Sequence, residues 1–353
     1  YDVLIQRYNN DGSIDTSFAA NGTFTFSGGG YHGANAVVVQ PDGKIVIAGD
    51  ILDMQDPERR NLLQKRLNAD GTLDGTFGIN GVVNADMSEL DEYGKALAIQ
   101  PDGKLVVVSD GNLTIILSRY NPDGTVDDMF GNDGAFIYYD YALSRGSDLA
   151  VQADGKIVVV GDNLFEYLGW AIRLVAFRVN ADGSYDETFR LSTADDIAYM
   201  PPFLIHGKAV VTQSDGRLVI GGRTSGDYYS DPEEYAVTLR LNADGGLDTT
   251  FGDNGYLSHY SSSDLAALAM SNDGKIVLVG APYYETSLSD AILMTVQVTS
   301  DGAYDTSFGK DGISLVTNGL TASGKDVVFQ SDGSIIVTGG SDGDLFLMRL
   351  IQD

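Results

Sequence analysis

Two short motifs recur along this chain on a common period, and that period limits the possible folds more than any other property. The first motif reads Gln-x-Asp-Gly-Lys followed by an apolar run. It occurs as QPDGKIVIAG (Gln40 to Gly49), QPDGKLVVVS (Gln100 to Ser109) and QADGKIVVVG (Gln152 to Gly161). It returns as QSDGRLVIGG (Gln213 to Gly222), SNDGKIVLVG (Ser271 to Gly280) and QSDGSIIVTG (Gln330 to Gly339). Its aspartates, at 42, 102, 154, 215, 273 and 332, give a mean step of (332 − 42)/5 = 58 residues. The second motif reads Arg-x-Asn-x-Asp-Gly-x-x-Asp-x-x-Phe-Gly-x-x-Gly and begins at Arg7, Arg66, Arg119, Arg178, Arg240 and, with Gln in place of Arg, Gln297. Its Asp-Gly aspartates, at 11, 70, 123, 182, 244 and 301, give (301 − 11)/5 = 58 again. The 353 residues are therefore about six units of one repeat, which predicts a single domain over 1–353 rather than two or three.

Each unit holds four short extended runs and no helical periodicity. In the second unit the runs are Ala96 to Gln100, Lys104 to Val108, Leu113 to Arg119 and Ala135 to Tyr139. Asp-Gly pairs between β-branched apolar runs signal tight turns, because glycine supplies positive φ. Four antiparallel strands per unit, repeated radially, predict an all-β fold, a β-propeller of four-stranded antiparallel blades. The third strand type occurs seven times, from Asp2 to Ile5 through to Asp344 to Leu347, and the other types six times. Six blades leave one strand over and seven leave three missing. Six is the expected number and seven the alternative, with the N- and C-terminal strands mixing in one closing blade to hide the sheet edges.

Composition removes several functions. Lys plus Arg is 22 against 50 for Asp plus Glu, a net charge of −28. Nucleic-acid binding is driven by basic charge, so no nucleic-acid partner is expected, and docking on an anionic membrane is disfavoured. No apolar run approaches the 18 residues of a membrane span. With no cysteine, disulfides, thiolate metal sites and cysteine nucleophiles are absent. Tyr1 is not an initiator methionine and no signal-like segment follows it, which suggests a processed or trimmed chain.

The two consensus motifs together resemble the delta-60 repeat family, over nearly the whole chain. That resemblance implies a tandem-repeat bacterial protein at an extracellular, cell-surface or periplasmic location. The family has no agreed catalytic residues to carry over. The fourth unit departs most from the pattern, with Arg190 and Leu191 in place of Gly and a long insertion after them.

The second motif also resembles the calcium loops of integrin-type propellers, Asp-x-Asp-x-Asp-Gly-x-x-Asp. Here the first ligand position is Arg, so an Arg–Asp bridge is the expected arrangement: Arg7 with Asp15, Arg66 with Asp74, Arg119 with Asp127, Arg178 with Asp186 and Arg240 with Asp248. No cofactor is expected. Calcium keeps one weak candidate position, Asp301 with Asp305, where Gln297 replaces the Arg.

In a four-strand meander the two Asp-Gly turns of each unit lie at one end of the blade. The other end carries connections that differ in every unit, and variable loops on a rigid scaffold are the expected recognition surface. They are acidic and aromatic. The candidate ligand-binding residues are Tyr138, Tyr139, Tyr141, Trp170, Tyr228, Tyr229, Asp231, Glu233, Glu234, Tyr283 and Tyr284. Tyr and Trp offer contact area at low entropic cost, which suits a glycan or a protein partner. The competing structural reading is that loop tyrosines shield their own blades.

His32 and His206 each precede a glycine shortly before the first strand, where Tyr93, Arg145 and Ser323 occupy similar slots. The constant glycine points to a backbone bend there. No serine elbow, His-Glu-x-x-His helix, Walker loop or sialidase box occurs. The expected function is thus non-enzymatic binding or adhesion, by a monomeric propeller or by part of a larger multidomain protein. The alternatives are a polysaccharide hydrolase using acidic loop residues such as Asp195, Asp196, Asp231, Glu233 and Glu234, and a structural spacer. Eighteen repeat aspartates against eleven repeat bases leave 11 − 18 = −7 on the scaffold, so −21 falls elsewhere, mostly on the loop side. That predicts a negative face suited to cations or neutral polar ligands.

Overall fold

Every unit is punctuated by Asp-Gly turns that bond in the same way. In the second unit, Gln100 N donates to Lys104 O (2.8 Å) and Gly103 N to Gln100 O (2.9 Å). The side chain Oδ1 of Asp102 accepts from Lys104 N at 3.1 Å. The turn after the third strand repeats this with Asn121, Asp123 and Thr125. There Gly124 sits at φ +85°, and a Cβ on it would lie 2.9 Å from Gly78 N, so only glycine fits the turn and its neighbour.

The computed structural model describes residues 3–26, 32–52, 56, 59–86, 91–111, 113–139, 143–166, 170–191, 205–224, 235–261, 263–282, 293–316, 322–341 and 344–351. β1 (Val3–Gln6) and β2 (Thr23–Phe26) form a two-stranded sheet. β3 (His32–Val39), β4 (Ile45–Leu52), β5 (Arg60–Leu67) and β6 (Val82–Ala85) form the first four-stranded blade. β7 (Glu92–Ile99), β8 (Leu105–Gly111), β9 (Thr114–Tyr120) and β10 (Ala135–Tyr138) form the second. β11 (Leu143–Val151), β12 (Ile157–Glu166) and β13 (Trp170–Val179) belong to the third. β14 (Ile205–Thr212), β15 (Leu218–Thr224), β16 (Tyr235–Leu241) and β17 (Tyr256–Ser261) make the fourth. β18 (Ser263–Met270), β19 (Ile276–Pro282), β20 (Leu293–Val298) and β21 (Ile313–Val316) make the fifth, and β22 (Ala322–Phe329), β23 (Ile335–Ser341) and β24 (Asp344–Leu350) belong to the sixth. The fold is an all-β propeller of six antiparallel blades, with no helix among the described residues. Among those residues β1–β2 and β22–β24 are separate sheets, each pairing sequence neighbours.

By contacts the chain divides into two compact units, residues 1–159 with 178–186, and residues 160–177 with 187–353. In the first unit, the blade interface is apolar on both sides. Val46, Ala48, Leu62, Phe77 and Val83 of the first blade meet Leu97, Leu105, Val107 and Tyr120 of the second. Leu62 is fully buried, and removing such a side chain to Ala costs about 2–5 kcal/mol. In the second unit, Val219, Ala236 and Phe251 meet Leu265, Leu268, Ile276 and Leu278 in the same way, and Val279 and Leu293 meet Val327, Ile335 and Val337.

The first strand of the second unit starts at Glu92 rather than Ala96, and it carries a bulge between Gly94 and Ala96. The same register shift falls at Ala34/Ala36, Gly207/Ala209, Leu265/Ala267 and Gly324/Asp326. The reason for glycine there is close approach. A Cβ on Gly94 would lie 2.7 Å from Leu62 Cδ1 and 2.8 Å from Gly49 O of the preceding blade. The bend is therefore inside the strand, at the same register in these blades, and the two histidines do not stand at the same place relative to it. His206 pairs with Arg223 as Tyr93 pairs with Asp110, but in the first blade the residue in that register is Gly33, opposite Asp50. His32 lies one step further out, opposite Ile51, and is buried.

Candidate functional site

At the turn end of the first four blades the repeat aspartate gathers two cations. Arg66 Nε donates to Asp74 Oδ2 at 2.8 Å, and Lys44 Nζ reaches the same oxygen at 3.0 Å. Arg66 also donates to Pro122 O of the next blade and to Gln40 Oε1 (3.4 Å), with its guanidinium 4.7 Å above the Phe77 ring. Burial alone would raise the Asp74 pKa. Hydrogen bonds from Thr76 and the charges of Lys44 and Arg66 outweigh that and hold the carboxyl well below the usual range. The second blade repeats the set with Arg119 and Lys104 on Asp127 (2.6 and 2.9 Å), the third with Arg178 and Lys156 on Asp186 (2.7 and 2.8 Å). In the fourth, Arg240 and Arg217 hold Asp248 (2.8 and 3.0 Å). The more exposed Arg7–Asp15 pair, at 2.8 Å, precedes them. Sequence reasoning missed the second cation. The signal was present, since the Lys or Arg after the first motif's Asp-Gly recurs on the same period as the aspartate.

The candidate calcium position follows the same plan with one cation fewer. Lys275 Nζ stands 2.9 Å from Asp305 Oδ2, and Asp301 Oδ1 accepts from the Thr299 hydroxyl. Lys275 thus occupies the space beside Asp305 that a metal would need. Among the described residues no three His, Cys, Asp or Glu side chains cluster with metal-binding geometry.

The candidate binding residues are not brought together among the described residues. Tyr138 is half-buried in β10, opposite Ile115, and Tyr139 beyond it is 74% exposed. Trp170 heads β13, but its side chain lies outside the described set, as do Tyr141, Tyr228, Tyr229, Asp231, Glu233, Glu234, Tyr283 and Tyr284. Asp195 and Asp196 lie outside it too.

A cleft of about 360 Å³ does open at the loop end, between the second blade and β11. Asp91, Tyr93, Lys95, Asp110, Leu113, Leu143, Ser144 and Arg145 line it. β7 carries Tyr93 and Lys95, and Lys95 is the unpaired residue of the bulge between Gly94 and Ala96. Asp110 is the register partner of Tyr93 across the β7–β8 ladder. Asp110 Oδ1 accepts from Gly146 N at 2.6 Å, and its Oδ2 is 3.4 Å from Lys95 Nζ. Burial pushes the Asp110 carboxyl up in pKa, against the opposing pull of Lys95, the Gly146 N–H and Arg145. Arg60 and Lys95 lie 5.5 and 5.3 Å from the centre of the Tyr93 ring, and Asp91 Oδ1 accepts from Arg60 N at 2.8 Å.

Two further features mark this place. Leu113 lines the cleft at φ +84°, a conformation side-chain-bearing residues rarely adopt and one that gathers at functional sites. Ser144 is 1% exposed, and its Oγ has no hydrogen-bond partner. A buried orphan hydroxyl costs on the order of 1–3 kcal/mol until something bonds to it.

The equivalent aspartates in the neighbouring repeats are closed off differently. Asp50 is sealed by Arg60 Nη1 at 2.6 Å, and Asp162 by His206 Nδ1 at 3.2 Å. In the next three repeats the position is Arg223, Ala281 and Gly340. Sequence reasoning treated Tyr93 and Arg145 only as slot-fillers beside a glycine. What identifies the cleft is the Asp that follows the apolar run in three repeats, facing a first strand that changes each time.

Compared with known proteins, five segments of the chain match a family described as "Domain of unknown function (DUF5122) beta-propeller": residues 1–18, 40–77, 100–130, 152–189 and 213–251. The matches make this a β-propeller repeat protein. Four of the segments run from the first motif to the Phe of the second, so Asp110 and Leu113 fall inside them, whereas Asp91, Tyr93, Lys95 and Leu143 to Arg145 do not. No curated protein matches the chain in sequence. Among solved structures, it is similar to a Penicillium chrysogenum alpha-L-arabinanase complexed with arabinobiose, at 12% identity and TM-score 0.54, over 89% of this chain and 92% of that one. It is also similar to a virginiamycin B lyase from Staphylococcus aureus (10% identity, TM-score 0.42, covering 99% and 100%). A putative exo-beta-1,3-galactanase from Bifidobacterium bifidum s17 matches at 11% identity and TM-score 0.42, covering 89% and 96%. At such identities the likeness to the arabinanase concerns the fold alone.

Proposed function

We propose that this propeller is a non-enzymatic binding module of the delta-60 kind, exported to the cell surface, the periplasm or the medium. It recognises a glycan or protein partner through the loop ends of its blades, and the cleft around Asp110 is the contact point. One observation carries this reading: the cleft combines an orphan buried hydroxyl with charged groups that the scaffold leaves incompletely paired, whereas Asp74, Asp127, Asp186 and Asp248 at the turn end each hold two cations. Other buried polar atoms also lack a partner, but Ser144 is one that lines a cleft, where a ligand can supply the missing bond.

A second reading has its own support. Asp91 and Asp110 share the cleft, and Asp110 holds its proton more tightly than an ordinary carboxylic acid, as a glycosidase acid would. A glycan array combined with a hydrolysis assay separates the two. Binding without turnover, lost in Tyr93→Ala, supports the binding module. Turnover lost in Asp110→Asn replaces it with the hydrolase. Silence in both assays from a folded protein removes the glycan partner and the hydrolase together.

A further inference from the structure

The strongest unexplained group in the cleft is Arg145. Lys95 is engaged by Asp110 and Arg60 by Asp50, but no carboxylate among the described residues lies within ion-pairing distance of Arg145. This happens in a chain where acids outnumber bases 50 to 22 and most bases are paired. The cleft itself is balanced, with Asp91 and Asp110 against Lys95 and Arg145. It is therefore a locally neutral place on an acidic molecule, holding one guanidinium with its fork of donors open.

The remaining groups set what such an anion must carry. Asp110 Oδ1 already accepts the Gly146 N–H, and Asp91 Oδ1 the Arg60 N–H, so each carboxylate has lone pairs left only for further donors. The buried Ser144 hydroxyl can accept or donate. One open guanidinium beside two carboxylates and a hydroxyl calls for a ligand with a single carboxylate and several hydroxyls. A guanidinium grips a carboxylate in two parallel bonds, which a lysine in its place would not.

We infer that the cleft takes a uronic acid residue, with its carboxylate on Arg145 and its hydroxyls on Asp91, Asp110 and Ser144. The inference rests on the binding reading above and deepens it. The cleft volume of about 360 Å³ suits a small ligand of this kind. The net charge of −28 opposes a polyuronate, because every further carboxylate would approach an acidic surface. The preferred form is thus an isolated or terminal uronate on an otherwise neutral glycan.

The test uses the whole chain and a matched pair of probes, methyl β-glucuronide and methyl β-glucoside, which differ only at the carboxylate. Titration followed by calorimetry should show the glucuronide binding at least tenfold tighter. Arg145→Gln should bring it down to the level of the glucoside, Arg145→Lys should recover only part, and thermal melting of both variants should match the parent. Ser144→Ala should weaken both sugars by a similar factor. Equal affinity for the two probes, or a glucuronide preference that survives Arg145→Gln, overturns the uronate assignment and leaves the glycan-binding reading standing. Capture through Arg145 of a peptide C-terminal carboxylate in place of the sugar also overturns it. Failure of every glycan to bind the folded protein removes the uronate assignment and the glycan-binding reading together.

Discussion

The second blade presents two aspartates in contrasting situations. At its turn end, Asp127 meets Arg119 at 2.6 Å and Lys104 at 2.9 Å, and its pKa falls because those bonds outweigh the cost of burial. At its loop end, Asp110 meets one lysine at 3.4 Å and one backbone N–H, and its pKa rises because burial wins. The turn end spends its charges internally and repeats the arrangement from blade to blade. The loop end leaves them incompletely matched and changes its partners at every repeat. Saturation marks scaffold, and deficit marks the place where a partner is to be supplied.

The most damaging way to probe this contrast is to break a turn-end pair. Asp74→Ala would leave Arg66 and Lys44 facing each other, with Arg66 nearly buried. Removing one partner of a buried ion pair costs about 3–5 kcal/mol, so the denaturation midpoint should drop steeply. Asp110→Asn keeps an acceptor for Gly146 N–H and should cost less than about 1 kcal/mol, while weakening ligand binding. Similar losses of stability in the two variants would erase the distinction between the ends.

A second, somewhat smaller effect concerns pH. His259 is buried between Thr238 Oγ1 (3.0 Å) and Tyr304 Oη (3.2 Å), and burial lowers its pKa to about 4. The unfolded chain binds that proton near pH 6.5, so it holds more protons than the native state between pH 6.5 and 4. Stability from this site is full above pH 6.5 and is lost as pH falls toward 4. The span of about 2.5 units corresponds to about 3 kcal/mol. His259→Gln should flatten the fall of the melting temperature over that range. An unchanged slope in the variant would assign acid sensitivity to other groups.

The repeat made the blades legible because the turns are local chemistry. Asp102-Gly103 and Asp123-Gly124 fix their own bends, and the strands between them follow. The Arg66–Asp74 pair was equally readable, its spacing being set by one turn. The cleft was not, because Tyr93, Asp110 and Arg145 meet across a strand ladder and a blade interface. That meeting depends on the bulge at Gly94 and on which blade follows. The pairing of His32 with His206 failed because the glycine does not mark the register: Gly207 is the last paired residue before its bulge, whereas in the first blade Ala34 holds that place and Gly33 lies one step before it.

The smallest expected effect lies at the turn-end copy that lacks its arginine. With Gln297 in place of arginine, Asp305 keeps only Lys275, at 2.9 Å, and bonds to Ser307. If that were a calcium loop, a dissociation constant of about 10⁻³ M and 10 mM calcium would stabilise the protein by about 1.4 kcal/mol. The ammonium of Lys275 stands in the metal's place, so we expect no shift in melting temperature beyond that of an equal concentration of magnesium. Lys275→Ala sharpens the comparison by emptying that place beside Asp305. Three hard ligands or fewer bind calcium poorly, so the variant should lose stability without gaining a calcium response. A calcium-specific rise in the parent protein would show that a turn-end carboxylate with one cation in place of two, like its loop-end counterpart, recruits a partner from outside.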